Sequence, residues 1–297
     1  MRVTPWHQTN WDWRAAANFI GGGTGTGLMF FALFATDTPA TYRVMAGIAL
    51  LLVAAGLSCV WAEIGRPWRA LNVFLHPQTS WMTREGMVAP FYFGSGAVAI
   101  WQGGGDGMFA PIAAALGILF LYCQGRILAA SKGIPAWREP KIIPLILATG
   151  FVEGAGLAAL LFFLLPAPAA MPGWLVGLLL GALILRRLAW KMYSEALVRQ
   201  GAPQKALAVL RNFGARFEKF GQLLPEMMLL ATLLVGDASG AMPLLVALAG
   251  GAALIAGWAL KFTIVARAAY NQGFALPVLP VRGQGSKTPG TKPGWSK

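Results

Sequence analysis

Residues 142–165 read IIPLILATGFVEGAGLAALLFFLL, and this run decides the class of the molecule. It is apolar throughout apart from Thr149 and one carboxylate, Glu153. At about 1.5 Å of rise per residue, a helix of this length crosses a hydrocarbon core about 30 Å thick. An ionised side chain at mid-bilayer costs roughly 2.5–3.5 kcal/mol on insertion scales, so Glu153 is expected to face a bundle interior or a wet cavity. Its small neighbours Gly150, Gly154 and Gly156 suit close contact with another helix.

Seven more runs of this kind lie at 15–36, 42–62, 85–102, 108–130, 172–194, 219–236 and 241–264. The 297 residues are 57% hydrophobic and 12% charged, with mean hydropathy +0.59, a balance no soluble domain of this size tolerates. The expected fold is all-α: a polytopic membrane protein, a bundle of eight transmembrane helices forming one domain over 1–280. Residues 281–297 (VRGQGSKTPGTKPGWSK) bury too little to fold alone and are expected to form a flexible cytoplasmic tail. Short connections (37–41, 103–107, 166–171, 237–240) alternate with long ones (63–84, 131–141, 195–218), which puts both termini on one side. Every Lys and Arg except Arg43 is assigned to that side, while the short connections carry Asp37, Asp106 and Asp237. The positive-inside rule makes that side, and so both termini, cytoplasmic, in a multi-pass protein of a bacterial cytoplasmic (inner) membrane. The first run follows Arg2 and Arg14 but is longer than the core of a cleaved leader, so it is expected to stay as a span.

The inventory excludes several chemistries. Two cysteines, Cys59 and Cys123, sit in different spans without C-x-x-C spacing, too few for an iron–sulfur cluster or a structural zinc. His7 and His76 lie outside the spans, so a bis-histidine haem inside the bundle is excluded too. The chain is expected to carry no haem or metal of its own. GGGTGTG (21–27) lacks the Lys-Ser/Thr ending of a phosphate loop and sits within a span, where Gly23 and Gly27 fit small-xxx-small packing. The basic residues are dispersed among membrane exits without a recognition fold, which argues against nucleic acid and leaves anionic lipid heads as contacts. After Pro203, Leu207, Val209, Leu210 and Phe213 with Lys205, Arg211 and Arg216 predict a short amphipathic helix, lying flat at headgroup level or docking a soluble partner. Pro90 and Pro225 are expected to kink their helices and free carbonyls.

The most polar stretch is EIGRPWRALNVFLHPQTSWMTREG (63–86). It gathers Glu63, Arg66, Arg69, His76, Arg84 and Glu85 at one mouth of the bundle, with Trp61, Trp68 and Trp81. A connector that long and charged grips a ligand head group or a partner. The order IGRPWRALN, a spacer, then SWMTRE resembles the loop after the second span of DmsC-type membrane anchors. With the NrfD and PsrC types, these are integral subunits of molybdopterin oxidoreductases. The likeness rests on Gly65, Pro67, Arg69, Ala70, Asn72, Ser80 and Glu85. It implies a quinone-reactive anchor (menaquinone or ubiquinone) passing electrons to or from an iron–sulfur subunit, itself joined to a molybdopterin catalytic subunit. With the loop on the basic side, those partners are expected on the cytoplasmic face, as in sulfite dehydrogenases and arylacetyl-CoA:acceptor oxidoreductases, with quinone reduction as the direction. One departure stands out: the histidine that such anchors carry before the Ile/Leu-Gly step is Glu63 here.

A quinone needs a hydrogen-bond partner at each carbonyl, an apolar slot and a proton path. Candidates are Asn18, Glu63, Arg66, Arg69, Trp81, Arg84 and Glu85, with Trp61 as a second stacking ring. Glu153 and Glu226 are candidates for a proton relay. The alternatives are structural: Arg84 and Glu85 as an ion-paired helix start after Thr83, the tryptophans as belt anchors, and both buried glutamates as hydrogen-bonded neutral acids. A proton- or ion-coupled transporter with coupling sites at Glu153 and Glu226, or a passive anchor, remains open.

Overall fold

A computed structural model describes residues 4–35, 38–63, 67–104, 107–165, 172–235 and 242–273, apart from the side chains at 67–70 and 235. Among them, regular structure is helical: α1 (Trp13–Ala32), α2 (Pro39–Glu63), α3 (Trp81–Gln102), α4 (Phe109–Ala130), the short α5 (Pro135–Arg138), α6 (Ile142–Leu164), α7 (Gly173–Arg199), α8 (Gln204–Arg216), α9 (Leu224–Val235) and α10 (Met242–Phe262). Among the described residues, six helical segments are long and apolar enough to cross a membrane: Trp13–Ala35, Pro39–Glu63, Phe109–Ala130, Ile142–Leu164, Gly173–Arg199 and Met242–Arg267. The third and seventh expected spans are helical but differ in character. α3 starts in the polar loop and so takes in Arg84 and Glu85, and α9 is only 12 residues long. The tail 281–297, Arg66, Asp37, Asp106 and Asp237 lie outside the described residues.

α1 is the hub, packed against α2, α4, α6 and α10, and its glycines are the reason. A Cβ on Gly21 would strike the Leu52 carbonyl of α2, and one on Gly27 the Gly150 carbonyl of α6. Gly154 answers from α6 against the Gly27 backbone, and Gly156 of α6 meets Gly250 of α10 in the same way. In GGGTGTG, Gly21, Gly25 and Gly27 thus allow backbone-to-backbone contact, whereas Gly22 and Gly23 make room for the side chains of Gln124 and Lys261. Asp12 caps α1, accepting from the Arg14 amide at 2.8 Å and pairing with its guanidinium at 2.9 Å, and these contacts hold its carboxyl below the usual range. A depressed pKa means the cap contributes at neutral pH and is lost as pH falls through the folded-state value.

The region after Pro203 corrects one expectation. α8, a π-helical stretch (Phe217–Leu223) and α9 form one continuous helical run, with Phe217 and Leu224 keeping right-handed helical dihedrals at the junctions. The apolar face of α8 is turned to protein rather than to a membrane surface: Leu207 and Leu210 are buried, and Phe213 meets Trp190 edge-on at 6.2 Å. The ends of the described chain meet in a small clasp. Gln8 N–H donates to Ala269 O at 2.9 Å, Asn271 N–H to Trp6 O at 3.1 Å, and His7 pairs with Tyr270.

Candidate functional site

At the end of the bundle bearing this clasp lies a cavity of about 320 Å³ among α1, α2, α3 and the loop after α2. Its walls are apolar: Leu57, Val60 and Trp61 from α2, Phe19 and Ala15 from α1, Val73 and Phe74 from the loop, and Met82 from α3. Trp11 adds a ring stacked on Trp137 at 4.7 Å, and Trp137 Nε1 donates to Ile264 O at 2.9 Å, so this wall is anchored to the end of α10. Four of the expected residues converge here: Asn18, Glu63, Glu85 and the stacking candidate Trp61.

The polar groups concentrate at the inner end. Asn18 and Glu85 are each only 6% exposed, and Gln124, wholly buried, donates to Asn18 O at 3.0 Å. The amides of Asn18 and Gln124 neighbour the Glu85 carboxyl. Asn18 Oδ1, Gln124 Oε1 and Glu85 Oε1 nevertheless lack a hydrogen-bond partner among the described residues. Leaving buried acceptors unmade costs about 1–3 kcal/mol each, a cost that a ligand with donors would relieve. Pro90 contributes as well: it has no N–H to give the Gly86 carbonyl one turn earlier, and Gly86 lines the cavity. Glu63 stands half-buried in the cavity wall, near Asp12 and Arg14.

Trp81 and Arg84 play a different part. Neither lines the cavity. Arg84 donates to the carbonyls of Pro77 and Gln78, both at 2.9 Å, and lies 4.1 Å over the Trp81 ring, whose other cation is Arg126 at 4.4 Å. The helix cap is Ser80, accepting from Thr83 N–H, and the Thr83 hydroxyl bonds Val73 O. There is no Arg84–Glu85 ion pair, because Arg84 is turned to the loop while Glu85 is buried. Arg84 thus positions the loop that supplies Val73 and Phe74. Arg84→Ala is expected to speed proteolytic cleavage within 73–80 while leaving the helices protected, and Arg84→Lys, which cannot reach both carbonyls, to restore little. Unchanged cleavage would reject that role. Arg66 and the Arg69 side chain are outside the described residues.

A second buried polar group lies along α1 from Asn18, roughly 9 Å on at Thr24 by helical rise. Glu153 Oε2 accepts from Lys261 Nζ at 2.6 Å and from Thr24 Oγ1 at 3.0 Å, and Trp258 Nε1 donates to Thr24 Oγ1 at 2.9 Å. Beyond it, Arg186 donates to Ala253 O at 2.8 Å and Gly221 O at 2.5 Å, and Glu226 pairs with Arg187 at 2.6 Å. The Gly221 carbonyl is available because Pro225, four residues on, has no N–H to bond it. Two cations assigned to the basic surface are therefore interior ones: Arg186 and Lys261 are fully buried. Sequence reasoning passed over them, along with Gln124 and Trp11. For Lys261 the available signal was a lone cation in a span, which calls for a carboxylate in another; Arg186 instead bonds the carbonyls of Ala253 and Gly221.

No family model matches the chain. The C subunit of the sulfite dehydrogenase of Allochromatium vinosum is 32% identical over 138 residues, covering 40% of this chain and 42% of that protein. The alignment thus spans less than half of the relative's length, and the likeness is to a subunit of an oxidoreductase, in keeping with a chain of apolar helices that is a membrane protein.

Proposed function

We propose that this chain is the quinone-reactive membrane anchor of a molybdopterin oxidoreductase, of the DmsC, NrfD and PsrC type. In this reading eight helices cross the bacterial cytoplasmic membrane with both termini in the cytoplasm. An iron–sulfur subunit and a molybdopterin catalytic subunit dock on that face and feed electrons to menaquinone or ubiquinone. The observation that carries the reading is the cavity: an apolar slot lined by Asn18 and Glu85, each with an unsatisfied buried acceptor, with Gln124 bonded to the Asn18 carbonyl. Hydroxyls of a quinol satisfy such acceptors, and the Asn18 amide suits a quinone carbonyl. Glu63 stands at the wall in the place where related anchors carry a histidine, able to exchange the ring proton. The partial match to a sulfite dehydrogenase subunit supports an oxidoreductase setting. Glu153 and Glu226 extend the proposal as proton-handling groups farther along the bundle.

The test uses the purified complex with its partner subunits, following the redox state of the partner's clusters on addition of a quinone or quinol analogue. Glu85→Gln and Asn18→Leu are each expected to weaken analogue binding by about tenfold or more, the effect of losing one strong hydrogen bond, and to slow cluster reoxidation. Clusters that ignore quinone in the unmodified complex would leave a passive anchor. A chain that purifies without iron, molybdenum or partners would favour a transporter.

A further inference from the structure

A larger hollow, about 710 Å³, lies on a different flank, where the run from α8 to α9 lies beside α10. Its floor and walls include Phe220, Leu224, Ile255 and Trp258, all more than a third exposed, a long apolar surface that membrane lipid meets. Two arginines, Arg216 and Arg267, line it as well. Arg267 leads directly into Ala268–Asn271, the strand of chain clasped to Trp6–Gln8, so its guanidinium sits at the rim of the bundle. From Arg267 back to Ile255 is roughly 18 Å along a helix axis, against about 15 Å for one leaflet of hydrocarbon.

Two features make this more than bare helix surface. Each wall includes a π-helical stretch, Phe217–Leu223 on one side and Thr263–Arg267 on the other, and such stretches are frequent at functional sites. Its charge is also one-sided. No carboxylate lines the groove, and among the described residues none pairs with Arg216 or Arg267. Glu218, on the same π stretch, is turned to the other side, where it accepts from Trp190 Nε1 at 3.2 Å.

We propose that this groove binds one anionic phospholipid, its phosphate held between Arg216 and Arg267 and an acyl chain lying along Ile255 and Trp258. A neutral lipid would use the apolar part without either cation. The site would be coupled to the interior, since Trp258 donates to the Thr24 hydroxyl that holds Glu153, and the Gly221 carbonyl, at the groove wall, accepts from Arg186. This proposal stands apart from the quinone reading, which concerns a different cavity.

The test is native mass spectrometry of the protein, with any partners it retains, in mild detergent with added phosphatidylglycerol or phosphatidylcholine. One phosphatidylglycerol should be held in preference to phosphatidylcholine. Arg216→Gln/Arg267→Gln should lower its retention roughly tenfold or more, the effect of losing two cationic contacts. Lys205→Gln/Arg211→Gln removes the same charge from α8 outside the groove and should leave retention unchanged. Ile255→Trp, which fills the apolar part, should reduce retention with both arginines intact. Equal loss in the two charge variants would reduce the effect to net charge and overturn the site. So would retention indifferent to Arg216, Arg267 and Ile255, or release of a quinone instead of a lipid from the arginine variant.

Discussion

Lys261→Met alone is expected to cost about 3–5 kcal/mol, while Glu153→Gln/Lys261→Met together should recover most of that loss. The reason is the 2.6 Å contact between two side chains with no exposed surface. Removing the ammonium leaves a carboxylate held only by Thr24 in a site without water to solvate it, and desolvation of an uncompensated charge then outweighs every other contribution. Neutralising both removes the desolvation cost along with the attraction, and a glutamine amide still accepts from Thr24. Thermal unfolding of detergent-solubilised protein, followed by size-exclusion fluorescence for the single and double variants, checks this. A double variant no more stable than Lys261→Met would show that the pair is not coupled as described. Once folded, the double variant has a second use. Quinone-linked turnover at the level of the unmodified complex would confine the pair to a structural role, whereas lost turnover with intact quinone binding would support proton handling at Glu153.

Gly154→Leu is expected to leave no folded, monodisperse protein. A Cβ at Gly154 already meets the backbone of Gly27 and Leu28, which has no rotamer to move into, so α1 and α6 must separate. Overpacking a core costs about 1–3 kcal/mol where side chains can shift, and more here, where the obstacle is main chain. Gly154→Ala should show the same direction to a smaller degree. The matched control is Gly181→Ala on α7, where an added Cβ meets nothing within 4 Å and no loss is expected. Comparable melting of Gly154→Leu and the control would refute the contact.

How far the sequence discloses this molecule depends on the range of the interaction concerned. Helix positions follow from local hydropathy, and the packing role of residues 21–27 follows from residue size, because a glycine-rich apolar stretch has few other uses. The convergence of Asn18, Glu63 and Glu85 was legible because each is a polar group at or inside a span near the same end. Trp81 and Arg84 looked equally suitable, yet the direction of their side chains is set by the carbonyls of Pro77 and Gln78, which composition does not show. The pairing of Glu153 with Lys261 spans 108 residues and depends on which helices become neighbours, something only the assembled bundle determines. The continuity of 204–235 was hidden for a related reason. A basic amphipathic stretch reads as a surface helix until Trp190 is known to cover its apolar face.

The clasp between Trp6–Gln8 and Ala269–Asn271 joins segments 265 residues apart, as in the bond from Trp6 N–H to Asn271 Oδ1. It therefore forms late in a chain made from its amino end. The hub helix enters the membrane first and waits for every neighbour, and Glu153 waits for Lys261 through 108 further residues, on the order of 5–20 s of synthesis. Throughout that interval the half-made bundle offers an open glycine face and an unmatched carboxylate to insertion factors and membrane proteases. Closure of the clasp can come only after α10, which brings Lys261 to Glu153, has been made.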